Sequence, residues 1–155
     1  MRNKILALAA AVLLVTGCSS MGSGDGSGMG ANGGPVTPGT QADLVQNVGD
    51  RVFFDTDSST LSSDARAVLD RQAAWMDKYS SVKVTVEGHA DERGTREYNL
   101  ALGERRATAA RNYLIAKGVK GDRVGTISYG KERPDATGSD ESSWARNRRG
   151  VTVVQ

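Results

Sequence analysis

Residues 86 to 106, V-E-G-H-A-D-E-R-G-T-R-E-Y-N-L-A-L-G-E-R-R, combine the end of a strand, a charged loop and the start of a helix. The strand is indicated by strict alternation, since Val82, Val84 and Val86 point one way and polar side chains the other. We predict a strand over residues 81–87 that is covered on one face and hydrated on the other. The loop that follows is rich in glycine and carries the only histidine, His89.

The helix after this loop is predicted over residues 96–117, with Thr95 as its N-cap and Gly118 as its stop. At about 100° per residue, its apolar side chains occupy an arc of roughly 200°. Arg106 and Asn99 break the pattern, because they fall inside this arc at about 80° and 100°. A guanidinium on a buried face keeps its charge and must find an anion. The arc predicted to be buried comprises Tyr98, Leu100, Leu102, Ala107, Ala109, Ala110, Tyr113, Leu114 and Ala116.

The anion that pairs with Arg106 has two possible identities. In the first, Arg106 makes a structural salt bridge to Asp91 in the loop or to another carboxylate, with little net gain in stability. In the second, Asp91 and Arg106 bracket a pocket for a ligand that carries both charges, an ammonium facing Asp91 and a carboxylate facing Arg106. Thr95 and Asn99 lie on the same helical stripe as Arg106, and free backbone N–H groups at the helix start add anion donors.

The rest of the folded chain adds one helix and three strands. Ser62 is the predicted N-cap of an amphipathic helix that reaches Tyr79 and has Leu61 as a hydrophobic staple. Further elements are predicted as strands at residues 51–54, 124–129 and 149–154, and a helical turn at 143–145. The order βαβαββ predicts a two-layer α/β sandwich, with the helices on one face of a small mixed sheet whose last strand is antiparallel to its neighbour.

The N-terminal third has a different composition. Residues 1–17 form a basic start, an apolar run and a small-residue end, which is typical of a secretory signal peptide and too short to span a membrane. Cys18 follows, and residues 18–43 are dominated by glycine and serine, which predicts a disordered tether. The folded domain is predicted to occupy residues 44–155. Without Arg2 and Lys4 of the leader, 18 basic and 18 acidic residues remain, so charge gives no indication of nucleic-acid binding.

Short motifs across the folded part resemble the OmpA-like peptidoglycan-binding domain. They are Gly88-His89-Ala90-Asp91, Glu92-Arg93-Gly94-Thr95, Tyr98-Asn99, Leu102-Gly103-Glu104-Arg105-Arg106-Ala107, Ser128-Tyr129-Gly130 and Asn147-Arg148-Arg149. The resemblance implies that Asp91 and Arg106 recognise meso-diaminopimelate of the peptidoglycan peptide stem. It also implies secondary contacts to the ligand, although each of these residues could instead serve packing or capping. They are Phe54, Asp55, Thr95, Tyr98, Asn99, Leu102, Asn147 and Arg148.

The start of the chain resembles a bacterial lipoprotein. Val15-Thr16-Gly17-Cys18 is similar to a lipobox, which implies acylation of Cys18, and Ser19 after it implies export to the outer membrane. Two or more acyl chains give stable anchoring in the inner leaflet of that membrane. The family resemblance implies a second partner, the periplasmic β-propeller protein of the Tol system. It also implies a role, as part of that system, in envelope integrity and cell division. Gly150 and Glu141 to Trp144 depart from the family pattern and leave the edges of that partner surface open.

Two other classes of function compete with a cell-wall binder. A metal-dependent hydrolase would need Glu87, His89 and Asp91 on one face, which requires the strand alternation to continue past Gly88. A single histidine and no further cysteine offer little for such a site or for nucleophilic catalysis, so we expect no enzyme, catalytic residue, metal or cofactor. The remaining alternative is a module that binds a periplasmic protein and not the wall.

Overall fold

The structure, a computed structural model, describes residues 36–155. The predicted signal peptide, the predicted lipidation site Cys18 and the tether up to residue 35 lie outside the described residues. None of the helices within residues 36–155 has the length and apolarity needed to cross a bilayer.

The described elements follow the predicted βαβαββ order, with short additional helical turns. In chain order they are α1 (Gln41–Asp43), a π-helical turn (Leu44–Val48), β1 (Arg51–Phe53), α2 (Ser63–Lys78), β2 (Val84–His89), α3 (Arg96–Ala116), a 3-10 turn (Gly121–Arg123), β3 (Val124–Gly130), α4 (Glu141–Asn147) and β4 (Arg149–Val154). The predicted strand at 81–87 begins late, because the Val82 N–H donates to the Tyr79 carbonyl in a turn that closes α2.

The four strands form one mixed sheet in the order β1-β4-β2-β3. Strands β2 and β3 are parallel, and the last strand, β4, lies between β1 and β2 and is antiparallel to both. This arrangement confirms the predicted mixed sheet with an antiparallel final strand. It places the ends of β1 and β2 at the same edge as the start of β4, because β4 runs in the opposite direction.

Helices α2 and α3 form one hydrophobic core with the sheet. Ser62 caps α2 as predicted, its Oγ accepting from the Ala65 N–H at 3.1 Å. Leu69 and Met76 of this helix, and Val84 and Val86 of β2, are fully or almost fully buried. Because the valines alternate, the opposite face of β2 carries the polar side chains that the sequence predicts.

Helix α3 begins and ends close to the predicted residues. The Thr95 hydroxyl accepts from the Tyr98 N–H at 3.2 Å, and Gly118 ends the helix with a φ of 102°. The residues at both margins of the predicted buried arc are nevertheless exposed: Tyr98, Leu100 and Ala116. The prediction that these three are buried was wrong, because the surface in contact with the sheet is narrower than the apolar arc. Arg106 and Asn99 lie at the centre of the arc and are 0% and 2% exposed.

Helix α3 touches β2 through two glycines. A Cβ atom on Gly88 would overlap the carbonyl group of Gly103, and a Cβ on Gly103 would overlap Ser128 and the carbonyl of Gly88. The backbones of strand and helix therefore lie in direct contact. This contact fixes α3 against the end of β2, and it sets the position of Arg106 one turn further along.

The segment before β1 is part of the folded domain. Gln41 bonds to the backbone of β4, donating to the Thr152 carbonyl at 3.3 Å and accepting from the Val154 N–H at 2.7 Å. The indole of Trp75 donates to Asp43 at 2.9 Å. Packing thus starts slightly before residue 44, where the sequence placed the domain boundary, because polar side chains of the predicted tether cap the core.

Candidate functional site

The loop between β2 and α3 carries Asp91, the predicted acidic group. Its side chain is 9% exposed and accepts from the side chain of Arg93 at 2.7 Å (Nη2) and 3.1 Å (Nε), and from the Arg93 N–H at 3.1 Å. Arg148 contacts the same carboxylate at 3.5 Å. Burial raises the pKa of Asp91, but the hydrogen bonds and charge of Arg93 outweigh it and hold that pKa below its usual range. Asp91 is therefore an ionised group with two arginine partners.

Arg106 is buried on the inner face of α3 as predicted. Its guanidinium donates to three backbone carbonyls, those of Ser58 at 2.8 Å, His89 at 2.8 Å and Asp55 at 3.0 Å. Burial lowers its pKa to about 10, a value at which it keeps its charge near neutral pH. The predicted salt bridge from Arg106 to Asp91 or another carboxylate is not formed in the described structure. Carbonyl oxygens take the place of the anion, because the loop after β1 turns two of them, and the end of β2 one, towards α3.

Asp91 and Arg106 both line a cavity of about 200 Å³. The two groups form no salt bridge with each other, because Asp91 is paired with Arg93 and Arg148 and Arg106 with backbone carbonyls. The cavity is lined by Thr56, Asp57, Asp91, Arg93, Gly94, Tyr98, Asn99, Leu102 and Arg106.

Five of the predicted site residues reach this cavity: Asp91, Arg106, Tyr98, Asn99 and Leu102. Tyr98 forms part of its rim and is 42% exposed. The amide of Asn99 donates to the Arg93 carbonyl at 2.8 Å, which ties the loop to the helix.

The other predicted residues serve the cavity from outside its lining. Thr95 caps α3, and Phe54 lies in the core with the Arg106 guanidinium 5.3 Å above its ring. Asp55 supplies only its carbonyl to Arg106. Arg148 is held by the Phe54 carbonyl at 3.1 Å, and thus supports Asp91 from behind.

Asn147 is also a structural residue. Its side chain accepts from the N–H groups of Asp135 and Ala136 at 2.7 and 2.9 Å and donates to the Ala136 carbonyl. These contacts fix the long polar loop between β3 and α4. Phe54, Asp55 and Arg148 line a different, larger groove of about 560 Å³ beside β1.

Four residues of the cavity were not identified from the sequence: Thr56, Asp57, Arg93 and Gly94. Asp57 has a φ of 54°, a left-handed conformation that aspartate tolerates better than most residues and that often marks a functional turn. Asp57 lies in the turn after β1, whereas the family resemblance pointed to Phe54 and to Asp55, two residues before Asp57. Arg93 lies inside the motif Glu92-Arg93-Gly94-Thr95, but no sequence pattern indicated that it would face Asp91.

Two contacts hold the loop from outside. The ammonium of Lys131 donates to the carbonyls of Glu92 at 3.1 Å and Gly94 at 2.6 Å. On the other side, the Trp144 indole donates to Glu92 at 3.0 Å, and its ring lies 4.2 Å from the Arg93 guanidinium. The loop is thereby clamped between β3 and α4, a support that the local sequence did not reveal.

His89 does not line the cavity with its ring. The ring is 2% exposed and lies 5.6 Å from that of Tyr129, and its nearest carboxylate is Glu87 at 3.5 Å. Burial, followed by the charges of Arg149 and Arg133, lowers its pKa to about 4. His89 contributes to the site through its backbone carbonyl, which accepts from Arg106.

The geometry gives no support to a metal centre built from Glu87, His89 and Asp91. Asp91 is turned towards Arg93 and Arg148, and the part of the chain that the structure describes holds no cluster of three histidine, cysteine or acidic side chains suited to a metal.

Comparison with known proteins places this geometry in a family. Residues 53–148 match the OmpA family. The chain is 54% identical over 155 residues to a protein of Rhizobium meliloti named peptidoglycan-associated lipoprotein, covering 99% of this chain and 88% of the relative. A protein of the same name from Pseudomonas aeruginosa is 49% identical over 160 residues, covering 95% of this chain and 94% of the relative.

One solved structure supports this assignment, and a second, more distant one shares the fold. The crystal structure of the peptidoglycan-associated lipoprotein from Burkholderia pseudomallei has a TM-score of 0.67 and 42% identity, over 68% of this chain and 90% of that one. The C-terminal domain of Helicobacter pylori MotB shares the fold, with a TM-score of 0.64 and 23% identity over 68% of this chain and 84% of that one. The family model and the relatives both cover most of the folded part, and the chain belongs to the OmpA family.

Proposed function

We propose that this protein binds the peptide stem of peptidoglycan non-covalently, through meso-diaminopimelate, and so attaches the outer membrane to the cell wall. The observation that carries the proposal is one small cavity whose lining includes both a carboxylate, Asp91, and a buried guanidinium, Arg106. The free end of meso-diaminopimelate carries an ammonium and a carboxylate on the same carbon. A cavity with both signs of charge suits such a zwitterion better than it suits a simple cation or anion.

The positions of the charges suggest how the ligand is oriented. Asp57 and Asp91 are the acidic groups of the lining, and we assign the ligand ammonium to them. Arg93, which is paired with Asp91 in the free protein, and Arg106 are the basic groups, and we assign the ligand carboxylate to them. Asn99 and Leu102 of the same lining offer one polar and one apolar contact to the carbon chain.

The names of the relatives support the same assignment. The similar proteins from Rhizobium meliloti and Pseudomonas aeruginosa are named for association with peptidoglycan and as lipoproteins. In this chain the corresponding anchor is Cys18, acylated and held in the outer membrane, with the domain facing the periplasm. The β-propeller protein of the Tol system is the second proposed partner, and the exposed ring of Tyr98 at the rim gives it an apolar contact close to the cavity.

The proposal is tested by sedimentation of the full-length protein with purified cell-wall sacculi. We expect Asp91→Ala to remove most of the bound fraction, because the ligand ammonium loses its carboxylate. The matched control is Asp77→Ala, which removes an exposed carboxylate of α2 away from the cavity. Retention of Asp91→Ala at the wild-type level would contradict the assignment of the cavity.

The same preparation separates wall binding from a pure protein-interaction role. A protein that binds only the periplasmic propeller would leave sacculi untouched while still capturing the propeller. Addition of a chelator tests the metal alternative, and we expect no change in the amount of protein that sediments.

A further inference from the structure

We propose that Arg93 is the exchangeable cation of the cavity. In the free protein its guanidinium is paired with the carboxylate of Asp91. When the ligand binds, the ligand ammonium replaces Arg93 at Asp91, and Arg93 pairs with the ligand carboxylate. This inference rests on the proposed function and adds to it the residue that selects for a carboxylate beside the ammonium.

An incoming ammonium meets a carboxylate that is already occupied. Asp91 holds Arg93 through both oxygens and contacts Arg148 as well. The ammonium can reach Asp91 closely only if one of these two arginines gives way.

Arg93 is the arginine that can move. The side chain of Arg148 is 8% exposed and is fixed by Glu141 at 2.7 Å and the Phe54 carbonyl at 3.1 Å. The side chain of Arg93 is 40% exposed, and its other contacts are a 3.4 Å hydrogen bond to Thr56 and the face of Trp144. A cation is attracted to a ring within about 6 Å of its centroid, so Arg93, at 4.2 Å from that of Trp144, has room for a small shift that keeps this contact.

Arg106 is poorly placed to exchange partners. Each of its three side-chain nitrogens already donates to a backbone carbonyl, and the residue is fully buried. A movement towards the ligand would leave carbonyl groups of two loops without donors, at a cost comparable to the gain. Arg106 therefore supplies positive potential and stabilises the lining of the cavity. The side chain that changes partner is Arg93.

After release from Asp91, Arg93 needs a new anion. Two neighbouring carboxylates are engaged, since Glu92 accepts from Trp144 and Glu141 accepts from Arg148. The third, Asp57 of the same cavity, is assigned with Asp91 to the ligand ammonium. A ligand with a carboxylate next to its ammonium meets this need, and a ligand with an ammonium alone does not. Arg93 thus penalises a lysine side chain and favours meso-diaminopimelate.

The test compares two synthetic tripeptide stems that differ only in the third residue, meso-diaminopimelate or lysine, by calorimetric titration of the full-length protein in detergent. We expect the wild type to prefer the diaminopimelate stem. Arg93→Gln should bind the lysine stem ~3–10-fold more tightly and the diaminopimelate stem ~3–10-fold more weakly, as for one partly exposed charge-assisted contact. Arg93→Lys keeps the charge but loses the two-pronged contact, so its preference should lie between the two.

Arg96→Gln is the matched control, because Arg96 is an exposed cation of the first turn of α3 that contacts Glu132 at 3.4 Å. It should leave both affinities unchanged. If Arg93→Gln changes the affinities for both stems by the same factor, or changes neither, the exchange is overturned while the proposal of wall binding stands. Failure of the wild type to bind either stem would overturn the proposed function together with this inference.

Discussion

Arg106 is a buried charged side chain that stabilises the site through backbone carbonyls and contacts no carboxylate among the described residues. It joins the loop after β1 to the end of β2 from a position inside α3. Helical periodicity predicted its burial, because a residue near the middle of an apolar arc must face the core. Periodicity could not predict its partners, since carbonyl groups exist at every residue and only the folded loops decide which ones converge.

Loss of this side chain is expected to destabilise the fold. Arg106→Ala leaves three backbone carbonyls unpaired and a void beside Phe54, which costs on the order of 3 kcal/mol or more of unfolding free energy. Urea unfolding measures the effect, and Arg105→Ala, which removes the exposed neighbour, should change stability by less than about 0.5 kcal/mol. Similar values for the two variants would show that the three hydrogen bonds contribute little.

His89 makes the stability of the domain sensitive to acid. Its folded-state pKa of about 4 lies below the ordinary value of 6.5, so the fold favours the neutral ring. Stability is therefore retained in full above about pH 6.5 and is lost as the pH falls towards 4, by about 3 kcal/mol in the limit. Arg149 and Arg133 oppose protonation, and Glu87 is the nearest carboxylate.

Urea unfolding of wild type and His89→Gln between pH 7 and pH 4 isolates this contribution. The variant is expected to start less stable and to lose less stability over the same range. Parallel curves for the two proteins would assign the acid sensitivity to other groups.

At the scale of elements, α3 and β2 depend on their two glycines. Gly103→Ala places a methyl group into Ser128 and the backbone of Gly88, and Gly88→Ala places one into the carbonyl of Gly103. We expect each variant to lose at least about 2 kcal/mol of unfolding free energy, since backbone contacts cannot relax as side chains can.

The matched control for this pair is Gly125→Ala in β3, where the added methyl group would meet neighbours at 3.5 Å or more. Thermal unfolding of the three variants, followed by circular dichroism, compares them directly. Equal melting temperatures for all three would show that the helix can shift away from the strand at little cost.

Local signals predicted the elements well and the short strand–helix contacts poorly. The valine alternation, the Thr95 cap and Gly118 placed β2 and α3 to within three residues. The margins of the buried arc of α3 were predicted wrongly. Leu100 and Tyr98 have largely apolar side chains, but they lie outside the surface that contacts the sheet. Their exposure depends on how wide the sheet is under the helix, which is a property of the assembled fold.

At the scale of the whole molecule, the cavity collects residues from three separate parts of the chain. The turn after β1 supplies Thr56 and Asp57, and the loop after β2 supplies Asp91, Arg93 and Gly94. Helix α3 supplies the rest. The two principal charges could be predicted from α3 and its adjoining loop alone, since they lie close in sequence. Asp57 could not, because its approach depends on the position of β4 between β1 and β2.

The junction formed by Gln41 and Asp43 gains a mechanical meaning if the protein links a membrane to the wall. Tension would enter the domain from the N-terminal side and leave through the ligand cavity. The bonds from Gln41 to β4, and from Trp75 to Asp43, are the first to carry that load. Because every residue of the cavity lies later in the chain, loss of these bonds would lengthen the link without removing a residue of the cavity.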